Sequence, residues 1–337
     1  MIPHTDAQWQ TLPWQVEMRN AIRSSAELRE FLALEHDDAF EDSCAAKDFP
    51  VLVPKPYARR MKPGDPHDPL LLQVLGSGAE LSSPSDYALD PLQEGDKNPL
   101  PGLIHKYHGR VLLIAASGCA VNCRYCFRRH FDYSANSPSR AHWPDTLSYI
   151  EKDSSISEVI LSGGDPLLLP DNIIAELIGQ IASIGHIKRL RIHTRLPVVL
   201  PARITPELCE ILSESRFRPV MVIHCNHPNE VDDALRDAID HLSSAGVTVL
   251  NQSVLLAGVN DDPQCLAELS EALFETGVMP YYLHMLDKVR GAAHFAVPEA
   301  RALDIYRQLI SLSSGYLVPR LVRECPNQPS KVPLSPY

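Results

Sequence analysis

The sequence is short of the features that would send a 337-residue chain to a membrane, the cell exterior or a nucleic acid. No run approaches the 18 apolar residues of a spanning helix. The opening MIPHTDAQWQTLPWQVEMRN lacks a basic stretch followed by an apolar one, so no secretory signal is expected. Basic charge is in deficit: 31 Lys+Arg stand against 42 Asp+Glu, a net charge of −11. That balance gives no broad attraction for nucleic acid or an anionic membrane. The acidic surplus is N-terminal, with 9 Lys+Arg against 17 Asp+Glu in residues 1–100, or −8, leaving −3 for the remainder. Eight cysteines are too few for a disulfide scaffold of this length. There is no low-complexity segment. These absences predict a cytoplasmic protein with neither a nucleic-acid nor a membrane partner. What remains is ordinary globular usage, 45% hydrophobic and 22% charged, which excludes collagen, coiled coil and wholesale disorder. Proline alone is in excess, at 29, with four in the last dozen residues.

Five cysteines (Cys44, Cys209, Cys225, Cys265 and Cys325) stand alone, as buried structural thiols do. The other three, Cys119, Cys123 and Cys126, form C-x3-C-x2-C in SGCAVNCRYCFRRHF, directly after the apolar run Val111–Ala116. A closed structural zinc site takes four ligands, usually from two C-x2-C pairs, and no second pair exists. A ferredoxin-like site would need a fourth cysteine, and Cys325-Pro326 lies 199 residues beyond Cys126. Three thiolates from one loop suit a 4Fe-4S cubane with its fourth iron open. With Tyr125 before the last cysteine, the segment resembles the radical S-adenosylmethionine superfamily, in which methionine's amino and carboxylate groups chelate that iron.

From residue 111 onward, β-rich runs alternate with helical patterns of 10–16 residues, which predicts six βα units around a parallel sheet. The expected strands are 111–116, 158–162, 190–193, 219–224, 247–255 and 279–283. The expected helices lie near 145–153, 170–184, 205–214, 230–245, 263–276 and 298–313. Thr205, Asn229 and Asp262 are the expected N-caps of three of them. Six units are too few for a closed eight-stranded barrel, so the fold class is α/β, a partial (β/α)6 TIM-like barrel with a mostly helical N-terminal extension. Its reactive groups belong at the C-terminal strand ends. The expected division is 1–100 as an accessory region, 101–316 as the barrel and 317–337 as a C-terminal segment.

Ser162-Gly163-Gly164-Asp165 follows the second expected strand. Glycines there allow close backbone approach to a ligand, and an aspartate can accept from an ammonium; a tight βα turn is the structural alternative. In the superfamily a matching motif contacts the methionyl amino group, which implies that Tyr125, Gly163, Gly164 and Asp165 bind S-adenosylmethionine. His224 and Gln252, near the expected sheet mouth, are as readily structural as functional.

Beyond the cysteines, CRYCFRRHF, SGGDPLL, RLPVVLPARIT, HCNHPNE, NQSVLLAGVND, PYYLHMLD, HFAVP and SGYLVP occur in order across residues 100–331. This set resembles the lysine 2,3-aminomutase family, and in length the short members that make (R)-β-lysine for modifying elongation factor P. The resemblance implies three cofactors: a 4Fe-4S cluster on Cys119, Cys123 and Cys126, S-adenosylmethionine, and pyridoxal phosphate held by Lys331 as a Schiff base. It implies phosphate contacts from Lys106 and Arg110. Arg128 would take the carboxylate of free L-lysine, with Asp287 and Glu324 holding its ε-ammonium; Glu324 stands where an aspartate is usual. A 5′-deoxyadenosyl radical would then remove hydrogen from C3 of lysine, and the amino group would move from C2 to C3. The implied partners are an electron donor such as flavodoxin or ferredoxin, and, functionally, elongation factor P and its β-lysine ligase. Three other readings stay open: an aminomutase for another amino acid such as glutamate, a radical enzyme without pyridoxal phosphate, and a non-catalytic iron–sulfur or zinc module.

Overall fold

Short runs of β-branched and aliphatic residues become strands where both faces are covered. The computed structural model describes residues 14–34, 45–136 and 140–337, which leaves Cys44 outside the described residues. Nine strands form one sheet in sequence order: β1 (Leu103–Tyr107), β2 (Arg110–Ala116), β3 (Glu158–Gly163), β4 (Arg189–Thr194), β5 (Val220–Ile223), β6 (Thr248–Val254), β7 (Met279–His284), β8 (Arg320–Arg323) and β9 (Val332–Pro333). Strands β2 to β8 pair in parallel, while β1 and β9 close the two edges antiparallel. The sheet is an open barrel, as expected.

Six helices make the crossovers: α1 (Trp143–Lys152), α2 (Asp171–Ser183), α3 (Pro206–Glu214), α4 (Asp233–Ser244), α5 (Pro263–Glu275) and α6 (Glu299–Leu312). Each of the better-patterned ones buries a stripe spaced i, i+3, i+4, i+7. In α2 the stripe is Ile174, Leu177, Ile178 and Ile181; in α4 it is Leu235, Ala238, Ile239 and Leu242. Thr205 caps α3 by accepting from Leu208 N at 3.1 Å, and Asp262 caps α5 by accepting from Cys265 N at 2.9 Å. The third expected cap is displaced. Asn229 lies in a 3-10 turn, Pro228–Glu230, that His227 caps, and α4 begins three residues later behind Asp232.

The N-terminal residues are short helical segments, among them Trp14–Arg19, Ser25–Phe31, Lys55–Ala58 and Pro69–Leu72. They share one continuous core with the sheet, in which Ile22, Leu28, Val53, Tyr57 and Leu70 join Val111, Leu161 and Ile192. Among the described residues no helix is long and apolar enough to cross a membrane.

Two glycines at the end of β3 let it meet the loop after β2. Gly163 has φ +116°, and a Cβ on Gly164 would lie 2.0 Å from the carbonyl oxygen of Gly118. Gly164→Ala must therefore push two backbones apart, and we expect a loss of at least about 1–3 kcal/mol of stability. Gly179→Ala, inside α2 with open space around its Cβ, should instead stabilise by up to about 1 kcal/mol. Thermal unfolding of the two variants checks the contrast; equal midpoints would contradict the close-approach argument.

Candidate active site

The C-terminal ends of β2 to β8 surround a cavity of about 510 Å³. Its wall includes Cys119, Cys123, Cys126, Tyr125, Arg128, Gly163, Gly164, Asp165, Lys106, Arg110, Asp287, Glu324 and Lys331, so every cofactor- or substrate-binding residue that the resemblance implies reaches one space.

The three cysteines sit on the loop leaving β2, where Cys126 N donates to Cys123 O and Arg124 N to Gln73 O. Arg124, fully buried, is gripped by Glu80 at 2.6 and 2.7 Å, and Arg129 reaches the same carboxylate at 2.8 Å. Arg195, at the end of β4, donates to Cys123 Sγ and to Tyr125 Oη, each at 2.7 Å. Its other terminal nitrogen meets Gln73, Tyr57 and Glu230 at 2.7–3.1 Å. Tyr125 Oη also accepts from Asn226 at 2.7 Å. Burial pushes the Cys119 thiol well up, and burial with the neighbouring Cys123 pushes Cys126 up to about 11. Thiolates there require a cationic partner such as iron. Among the described residues no group of three His, Cys, Asp or Glu side chains could hold a single metal ion. A cubane makes no such demand, because each thiolate binds a different iron.

Asp165 departs from the expected ammonium acceptor. Its carboxylate accepts from Thr194 Oγ1 (2.6 Å) and the backbone N–H groups of Leu167, Arg195 and Leu196 (2.7–3.1 Å). A carboxylate has about four acceptor positions, so Asp165 is filled by protein donors and fastens β3 to the start of the segment after β4. The backbone at Gly163 and Gly164 is what this turn presents to the cavity.

At the opposite polarity, Glu324 accepts from Lys106 Nζ (2.6 Å), Tyr107 Oη (3.0 Å) and Lys331 Nζ. Burial opposes its ionisation, but Lys331 and Lys106 overcome that and hold it far below the ordinary carboxylate range. Lys106 is thus paired with an acid, though it lines the same cavity and an ammonium has three donors. It lies on β1, and Arg110 opens β2, where the sequence had suggested a segment preceding the first strand. Arg110 packs over the Tyr107 ring at 4.7 Å. Among the described residues Arg110 and Arg320 line the cavity without a carboxylate partner, which fits a dianionic phosphate. Burial and the Glu324 carboxylate push Asp287 up to about 7, against the pull of Lys331 and Lys106.

Arg128 is buried and held side-on by Glu94: Nε donates at 2.7 Å and Nη2 at 3.0 Å, while Nη1 donates to Ser162 Oγ at 3.3 Å. Glu94 was not evident in the sequence, because it lies in a Pro- and Gly-rich stretch with no motif around it. Tyr107 was missed along with β1, which was not expected, and Arg195 had only its place just after the expected strand 190–193 to hint at a role. Burial depresses His224 to about 3, so it is neutral and its Nε2 can accept from Gln252 at 2.7 Å. Among the described residues His193 and His284 each leave a buried Nε2 without a partner on the cavity wall, polar atoms available to a bound group. His227 uses its Nδ1 to accept from Asn229 N at 3.1 Å and caps its own turn.

The described site therefore offers three cysteines for a cluster, unpaired cations for a phosphate and a lysine amine beside an acid. A profile of the radical SAM superfamily matches residues 113–269. The chain is 50% identical to L-lysine 2,3-aminomutase of Haemophilus influenzae over 319 residues, 94% of each chain. It is 48% identical to the Escherichia coli protein of that name, covering 95% of this chain and 94% of the relative. The Clostridium subterminale protein of that name is 36% identical, covering 98% of this chain and 79% of the relative. On this evidence the chain belongs to the lysine 2,3-aminomutase family, radical S-adenosylmethionine isomerases that depend on a 4Fe-4S cluster, S-adenosylmethionine and pyridoxal phosphate.

Proposed function

We propose that this chain converts L-lysine to (R)-β-lysine. The observation that carries the reading is the placement of Lys331 against Glu324, with Asp287 and Arg128, in the same cavity as the three cysteines. When bound, the cluster and S-adenosylmethionine supply a carbon-centred radical, and pyridoxal phosphate supplies the acceptor through which an amino group migrates. The rest falls to the chain's own residues. Cys119, Cys123 and Cys126 hold the cluster, Lys331 supplies the amine that fastens pyridoxal phosphate, and Arg110 faces its phosphate. Tyr125, Gly163 and Gly164 line the S-adenosylmethionine side, with Asp165 fixing that turn and not touching the ligand. Arg128 takes the substrate carboxylate, and Asp287 and Glu324 take its ε-ammonium. An amino acid with an acidic side chain would meet Asp287 and Glu324 in the same cavity, which disfavours glutamate.

Two further assignments extend the reading. The chain and its relatives from Haemophilus influenzae and Escherichia coli are matched over at least 94% of either partner, and we assign the β-lysine to elongation factor P modification in the cytoplasm. Intact-mass measurement of that factor with and without this gene tests the assignment; an unchanged mass would remove it. A flavodoxin or ferredoxin is the proposed electron source.

The direct test is anaerobic reconstitution followed by assay with a reductant, S-adenosylmethionine, pyridoxal phosphate and L-lysine, in which β-lysine should accumulate. Lys331→Ala should reduce the product to background and abolish pyridoxal absorbance while the iron–sulfur spectrum persists. Loss of both spectra would point to misfolding, and retained turnover would refute the role of Lys331.

Asp287 gives the pH dependence. The charged groups that act on it are Glu324, Lys331, Lys106 and Glu94. An ammonium binds the ionised carboxylate, so lysine affinity should rise as pH increases through about 7 and then level off. Asp287→Asn should weaken lysine roughly 10- to 100-fold and flatten that rise. Calorimetric titration across pH reads both; a rise that survives in Asp287→Asn would assign the titration elsewhere.

A further inference from the structure

Glu94 reaches the cavity from the N-terminal region, 3% exposed, and engages Arg128 through a two-point ion pair. A guanidinium has five N–H donors. Glu94 takes one on Nε and one on Nη2, and Ser162 takes one on Nη1. Among the described residues the two N–H groups left without a partner are both on the terminal nitrogens. The next cation to Glu94 is Lys106, at 3.8 Å, and Lys106 is already bound to Glu324 at 2.6 Å. Removing Glu94 from Arg128 would therefore strand a buried carboxylate, so an incoming anion takes the free donors and does not displace it.

We infer that Glu94 is a positioning residue: it locks the Arg128 guanidinium side-on, so that its remaining terminal donors are presented to a single substrate carboxylate. The inference rests on the reading that Arg128 receives that carboxylate. It makes the N-terminal region part of substrate selection, because the residue that aims the arginine comes from outside the barrel.

The test compares L-lysine with L-lysinamide, which keeps both amino groups and replaces the carboxylate by a neutral amide. Binding is measured by calorimetry on the cluster- and pyridoxal-phosphate-loaded protein. Wild type should prefer lysine, and Glu94→Gln, which keeps the shape and loses the charge, should reduce that preference roughly tenfold. Glu94→Asp, which keeps the charge on a shorter arm, should recover part of it. Thermal unfolding confirms that each variant is folded, and the Asp variant carries the comparison if the Gln variant is not. A full preference in both variants overturns the inference, as does an equal loss for both ligands, the mark of a purely structural role. If wild type itself shows no preference, the Arg128 reading fails and takes this inference with it.

Discussion

A charge withdrawn from water must meet its opposite at hydrogen-bond distance, and in this molecule that requirement ties regions far apart in sequence. Glu80 holds Arg124 and Arg129, Glu94 holds Arg128, and Gln73 and Tyr57 join Glu230 around Arg195. In each case a barrel guanidinium is completed by the N-terminal region. Withdrawing that region would strand Arg124, Arg128 and Arg129 and strip Arg195 of two partners, leaving it Glu230, so the region is part of the site's framework. The same contacts shape the cysteine loop. Arg124, Arg128 and Arg129 flank Cys126, and Arg195 donates directly to Cys123 Sγ.

The C-terminal segment obeys a second constraint, one of register. Strand β8 pairs with β9 through Val322↔Pro333 and Arg323↔Val332. Continuing that antiparallel ladder by one step puts Glu324 opposite Lys331, and their side chains do meet. The seven-residue spacing is therefore the span of a hairpin. Asn327 turns it with φ +62°, a conformation asparagine tolerates better than most side chains. Pro326 and Pro329 lie in that turn, and Pro333 occupies an edge strand, where a missing N–H costs little. The proline excess of the tail thus stiffens the connection that delivers an amine to an acid.

What could be read from the sequence follows from how local each signal is. Strands β2 to β7 are rich in apolar residues, and the amphipathic helices between them carry their own stripes, so the barrel was visible with boundaries correct to within a residue or three. Strand β1 reads LIHKY, β8 is RLVR, and β9 has two residues, one of them proline. None shows a clean period, because each is defined by the partner it pairs with. The cap at Asn229 failed because Asp232, three residues on, binds the helix N-terminus instead. Among the residues that line the cavity, the cysteines and Lys331 could be picked out because their spacing or motif context is local. The partnerships of Arg128, Lys106 and Asp165 could not. Each is decided by a group 29 to 218 positions away, and a single sequence carries no trace of that distance.

The charge balance of the cavity connects these constraints to the proposed chemistry. Glu94 is matched by Arg128, and Glu324 is shared by Lys106 and Lys331. Arg110 and Arg320 stand in excess and can neutralise a phosphate. Asp287 has no full share in this pairing: burial and Glu324 push it up to about 7 against the pull of Lys331 and Lys106, so two acids compete for two ammonium groups. On the proposed reading, the ε-ammonium of lysine would add a third cation and let Asp287 ionise beside Glu324. A neutral or acidic side chain would leave that competition unrelieved, so the pair of acids itself sets the demand for a cationic side chain.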